Sequence, residues 1–103
     1  MSHYIDVILP VPLHQKFTYL ITVDEYKFIK PGMRIVVPFG KSKLYTSIAY
    51  QTHSNFKGNY ELKSIIQIID KTPIVNSFQL KFWDWIARYY FTSLGDVMRA
   101  SLP

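Results

Sequence analysis

Cysteine is absent from the 103 residues, which removes disulfide stapling, thiol catalysis and every zinc or iron–sulfur site that needs thiolates. A reducing, cytosolic setting is compatible with that absence. Long apolar runs are also missing: none approaches the roughly 20 residues of a membrane span, and Met1 to Asp6 lacks a basic stretch followed by an apolar one. Secretion and membrane insertion are both disfavoured. The four glycines, at 32, 40, 58 and 95, stand too far apart for a GxxxxGK[ST] or GxGxxG phosphate loop. His3, His14 and His53 are scattered without metal-ligand spacing, and Asp24-Glu25 beside Tyr26 reads as a solvated turn rather than a catalytic pair. Catalysis by this segment is not expected, and neither is a bound cofactor.

What is present is a greasy, basic chain. Apolar residues make up 49% and charged ones 18%, enough to build a core and too apolar for a disordered tail. The length suits one domain over residues 1–103. Twelve Lys and Arg against seven Asp and Glu give +5, unevenly spread: residues 1–26 sum to −2, residues 27–63 to +6 and residues 64–103 to +1. A positive field concentrated in the middle attracts polyanions, nucleic acid first, then an anionic membrane or an acidic protein. The plainer reading, that the charge only keeps a small domain soluble, stands beside it.

Periodicity divides the chain into a strand-rich part, 1–72, and a helical part, 73–103. Alternation of apolar residues predicts strands over Tyr4–Leu9, Phe17–Thr22, Met33–Val37, Tyr45–Thr52 and Leu62–Ile69. Pro10-Val11-Pro12 stops the first strand, and Pro38-Phe39-Gly40 ends the third. The loop His53 to Glu61, with Gly58-Asn59, is expected to join the last two strands as a hairpin. After Pro73, Phe78, Phe82, Trp85, Ile86 and Tyr89 recur at helical spacing, with Asn76 and Gln79 as a capping box. This aromatic stripe, both tryptophans included, is expected to lie on the sheet as its lid. Ser93 to Gly95 ends the helix, and Asp96 to Ser101 adds a turn or two. The expected fold is α+β, mainly β: a small antiparallel β-barrel or curled sheet of five strands. It resembles an oligonucleotide-binding (OB) barrel, covered by a C-terminal helix and a short second one.

One constellation suits a nucleic-acid strand. Gly40, in the Pro38-Phe39-Gly40-Lys41 turn, would let a nucleotide approach the backbone, and Lys41 and Lys43 follow at once. Phe17 and Tyr19 can wall a base, where stacking is worth about 1 to 3 kcal/mol. An ordinary hairpin glycine explains Gly40 equally well, and core packing explains Phe17 and Tyr19 rather better.

Val7-Ile8-Leu9-Pro10-Val11-Pro12-Leu13, followed by Phe17 and Tyr19, resembles the opening of the primosomal protein N′ (PriA) family of replication-restart helicases. Gly32 to Lys41 (GMRIVVPFGK) agrees in order, as do Leu62-Lys63, Ile69-Asp70 ahead of Pro73, and Trp85, Ala87, Tyr89-Tyr90 and Gly95-Asp96-Val97. The similarity covers almost the whole chain and is specific as a set. It implies a non-catalytic N-terminal domain that binds the 3′ end of a DNA strand at branched forks. This domain would precede the helicase and zinc-binding parts of a longer, cytoplasmic bacterial protein that uses ATP, magnesium and zinc. It further implies primosome and single-strand-binding proteins as partners. The family's pocket for the terminal nucleotide falls on Phe17, Thr18, Tyr19, Gly40 and Lys63, with Lys41 a weaker electrostatic candidate. Two positions depart: Thr18 stands where the family commonly has Asp, and Ser47 where many relatives have Gly. A general single-strand binder and a protein-interaction module are the rival readings.

Overall fold

The computed structural model describes residues 2–58 and 61–102, so Asn59 of the expected Gly58-Asn59 turn lies outside the described residues. In chain order the elements are β1 (His3–Ile8), β2 (Phe17–Ile21), α1 (Val23–Phe28), β3 (Arg34–Phe39), β4 (Lys43–His53), β5 (Gln67–Ile68), α2 (Ser77–Tyr89) and α3 (Leu94–Ser101). The five strands form one antiparallel sheet in the order β2-β1-β4-β3-β5. It is an open, curled sheet rather than a closed barrel. Its two ends nevertheless meet across a seam: Leu20 of β2 forms an isolated parallel bridge with Ser64, just before β5. Leu20 N–H donates to the Lys63 carbonyl at 2.9 Å, and Ile65 N–H to the Leu20 carbonyl at 3.3 Å.

Alternation along the strands sorts the side chains into two cores. Ile5, Val7, Tyr19, Ile21, Ile35, Val37 and Ala49 fill the inside of the curl. Ile8 and Ile48 point to the other face, where Leu80, Trp83, Ala87, Leu94, Val97 and Met98 of the helices cover them. The stripe expected to be the lid is therefore on the wrong side of α2. Phe78 is 77% exposed and Trp85 51%, whereas Trp83 is 4% exposed. Both stripes repeat at helical spacing. The one holding the smaller Leu80 and Ala87 lets α2 and α3 approach the sheet closely, which the aromatic one would prevent. Outside, Phe78, Phe82, Trp85 and Tyr89 stack on one another at ring-centroid separations of 4.9–6.5 Å.

The expected β4–β5 hairpin does not form. Both edges of β4 are taken, by β1 and β3, so β5 adds to the free edge of β3 and shrinks to two residues, with Ile35 opposite Ile68. Pro38 does not end β3, which runs on to Phe39. Arg34 and Val36 turn their carbonyls toward the β5 side, accepting from Ile69 and Ile66. By alternation the proline nitrogen faces that side too, beyond the reach of β5, so no ladder bond is lost. Asp24-Glu25 is not a loose turn but the first turn of α1, capped by a reciprocal Thr22–Glu25 pair. The α2 capping box between Asn76 and Gln79 is present as expected, and Ser93 caps α3.

Candidate nucleic-acid interface

The seam and the β3–β4 turn enclose a cleft of about 390 Å³. Phe17, Thr18, Tyr19, Gly40 and Lys63, distant along the chain, all line it. Lys41 does not. Gln15, Lys16, Glu61 and Leu62 also belong to the wall; of these only Leu62, through the Leu62-Lys63 motif, was marked by the sequence.

Each wall residue is fixed by its element. Phe17 opens β2 and meets Phe39 of β3 edge-to-face at 5.1 Å, leaving it half-buried at the cleft. Tyr19, 5% exposed, is a floor more than a wall: its hydroxyl donates to the Pro38 carbonyl at 2.7 Å, and burial pushes its pKa up to about 12. Gly40 adopts φ +71°, a left-handed conformation that costs a residue with a Cβ about 1 to 2 kcal/mol. No atom lies within 4 Å of where a Cβ would stand, so the glycine serves the turn and leaves its surroundings open. Lys63 Nζ donates to the Gly40 carbonyl at 2.8 Å, linking the seam to the β3–β4 turn. An ammonium has three donors, and this bond uses one.

Thr18 sits differently from its neighbours. Strand alternation places its side chain on the opposite face of β2 from Phe17 and Tyr19, where its hydroxyl donates to Asp6 Oδ1 at 2.7 Å. Its main chain has the reverse bias. In an antiparallel pair the N–H and C=O of one residue share a side. Those of Leu20 face Lys63 and Ile65, so those of Thr18, two residues earlier, also face away from β1 and toward the cleft. Ser47, the second departure from the family pattern, is fully buried and donates its hydroxyl to the Ile35 carbonyl at 2.7 Å. Its extra polar group is thereby satisfied inside the strand pair.

Asp6 collects three side chains on the outer face: Thr18, Gln51 Nε2 at 2.9 Å and His53 Nε2 at 3.0 Å. Burial pulls its pKa upward, but the hydrogen bonds from Gln51, Thr18 and His53, with the charge of His53, outweigh that and hold it below the ordinary aspartate range. A depressed carboxylate stabilises the fold above its unfolded pKa, and that contribution disappears as pH falls through the lower folded value. Asp6→Asn should therefore lower the urea midpoint at pH 7. The gap to the unsubstituted chain should be smaller at pH 3, below the ordinary aspartate value of about 3.9, and should go on narrowing as pH falls through the depressed folded value. A gap of the same size at both pH values would contradict the hub.

The profile of the 3′ DNA-binding domain family matches residues 6–103. This chain belongs to the PriA 3′ DNA-binding domain family. It is 38% identical to the replication restart protein PriA of Haemophilus influenzae over 101 residues, covering 94% of this chain and 13% of that protein. The Treponema pallidum PriA is 27% identical, covering 100% of this chain and 16% of its own length. For the PriA of Buchnera aphidicola subsp. Acyrthosiphon pisum the values are 31%, 96% and 13%. The chain thus spans about one seventh of the length of these relatives. What a PriA 3′ DNA-binding domain contributes is DNA binding, without catalysis of its own. Among the described residues no group of His, Asp and Glu could hold a metal ion, and no helix is long and apolar enough to cross a membrane.

Proposed function

We propose that the cleft receives the 3′-terminal nucleotide of a DNA strand at a stalled replication fork and so orients the longer helicase of which this chain forms the N-terminal part. The observation that carries the reading is the convergence of Phe17, Tyr19, Gly40 and Lys63 on one cleft, in a chain whose middle segment carries +6. The terminal base rests against Phe17 with the Tyr19 floor beneath it. Gly40 admits the sugar close to the main chain, and a free donor of Lys63 meets a phosphate. Thr18 takes part through its amide and carbonyl, since its hydroxyl is engaged by Asp6. Glu61, the carboxylate in the cleft wall, supplies an acceptor there that the side chain at position 18, turned to the other face, does not. It can take a hydrogen bond from the 3′-hydroxyl.

In this reading ATP, magnesium and zinc are held by other parts of the longer protein, which acts in the bacterial cytoplasm. Primosome and single-strand-binding proteins meet this domain on the exposed face of α2. The stacked rings of Phe78, Phe82, Trp85 and Tyr89 spend their faces on one another, so they present edges suited to a protein surface rather than platforms for bases.

The test is a titration with matched oligonucleotides differing only at the 3′ end. A free 3′-hydroxyl should bind at least about tenfold more tightly than a 3′-phosphate, a difference of about 1.4 kcal/mol. Phe17→Ala combined with Lys63→Ala should abolish the preference. With two phosphates contacted, log K should fall against log salt with a slope of about −1.4. Equal affinity for both ends, or undiminished competition by circular single strands, would rule out end recognition and favour a general single-strand binder.

A further inference from the structure

A second and larger cavity, of about 660 Å³, lies between the β1–β2 connector and the C-terminal end of α2. His14, Lys16, Asp84, Arg88 and Phe91 line it. Lys16 also lines the end-binding cleft, so the two hollows share a wall.

The chemistry of this cavity is that of a single-strand subsite. Its carboxylate is already engaged: Asp84 accepts from Lys16 Nζ at 3.1 Å and from the Tyr50 hydroxyl. Burial, helped by the hydrogen bond and charge of Asp84, pushes the Tyr50 pKa up to about 12, which keeps that hydroxyl a donor. Lys16 is further steadied 4.1 Å above the Tyr50 ring centroid. Arg88 makes no ion pair among the described residues and leaves the cavity with net positive charge.

Phe91 supplies the second observation. It follows the last turn of α2, where Thr92 N–H reaches back to the Ala87 carbonyl at 3.0 Å, and its φ is +52°. That left-handed position after a helix ordinarily belongs to glycine. A phenylalanine there is strained, and at 91% exposure its ring gains nothing from packing to offset the strain. A large aromatic side chain held out at a strained position, beside an unpaired arginine on the rim of a cavity, fits a ligand contact.

We propose that this cavity binds the nucleotides preceding the 3′-terminal one, with Phe91 stacking on a base, Arg88 meeting a backbone phosphate, and Lys16 at the step between the two hollows. The direction of the strand rests on the end-binding reading above; the contacts themselves do not.

Thymidine 5′-phosphate fills only the end cleft, whereas a thymidine hexanucleotide with a free 3′-hydroxyl reaches both. Affinities for the two, from NMR titration of the unsubstituted chain, Phe91→Gly and Arg88→Ala, separate the hollows. The hexanucleotide should bind at least about tenfold more tightly than the mononucleotide. Phe91→Gly should weaken it by about 5- to 150-fold, the range of one lost base stack, and Arg88→Ala should flatten its salt dependence by about 0.7 in log–log slope. Mononucleotide affinity should stay unchanged in both. Phe91→Gly should also raise the melting temperature, so that weaker binding cannot be blamed on unfolding. If the hexanucleotide binds the variants as tightly as the unsubstituted chain, or binds no more tightly than the mononucleotide, the second subsite is wrong. Loss of the 3′-hydroxyl preference with the Phe91 effect intact would instead overturn the end-binding reading alone.

Discussion

Replacing Trp83 with alanine is expected to destabilise the domain by about 3 to 5 kcal/mol, whereas the same change at Trp85 should cost less than about 1 kcal/mol. The two residues stand two apart on α2 and differ only in the side they face. Trp83 is wedged among Ile8, Ile48, Leu80 and Leu94 in the core between sheet and helices. Its removal leaves a cavity that close-packed neighbours can only partly fill. Trp85 stacks between Phe82 and Tyr89 but is half exposed. For a domain of this size, about 1 kcal/mol moves the melting temperature by roughly 4 to 8 °C, so thermal melts resolve the contrast easily. Should Trp83→Ala fail to fold, Trp83→Phe, which keeps most of the volume, should give a smaller loss in the same direction. Equal effects at the two positions would mean that α2 presents its other face to the sheet.

Gly95→Ala is the second large effect, and its sign decides the matter. On helix propensity alone, alanine at this position in α3 should stabilise by about 1 kcal/mol. The packing says the opposite: a Cβ on Gly95 would lie 2.0 Å from the Val11 carbonyl oxygen and 2.4 Å from that of Leu9. Both are main-chain atoms of the β1–β2 connector and cannot swing aside as a side chain could. The helix must lift off the connector, loosening Leu94, Val97 and Met98 from Ile8 and Ile48. We expect a loss at the upper end of the overpacking range, about 3 kcal/mol or more, read as a lower urea midpoint. A midpoint that rises would show that α3 does not dock so closely.

Much of this was legible in the residues. Strand alternation located β1, β2, β3 and most of β4, and Asn76 with Gln79 announced the start of α2. Alternation is silent on pairing partners, however. That β5 must join β3 follows only once both edges of β4 are known to be occupied. Helical periodicity likewise has no sign. It marks two stripes on α2, and only the shape of the sheet beneath chooses Leu80, Trp83 and Ala87 over the larger rings. Thr22-x-x-Glu25 is the signature of a capped helix start, so the acidic pair carried a signal for α1 as well as for a turn. Alternation along Phe17–Thr22 sets Thr18 on the side opposite Phe17 and Tyr19, and its hydroxyl does point away from theirs, to Asp6. Of the cleft, Phe17, Tyr19, Gly40 and Lys63 were within reach of sequence reasoning. Glu61 and Lys16 were not, because they enter through the seam and the connector, which carry no periodic signal.

The bridge between Leu20 and Ser64 reaches beyond the cleft it helps enclose. A sheet with a long bare border offers a template on which a neighbouring polypeptide can lay down a strand of its own. Here one border, β2, is met by residues 63–65 of the same chain, and the other, β5, is only two residues long. The open sheet is thereby guarded against edge-to-edge assembly, the hazard that full closure into a barrel would otherwise have removed.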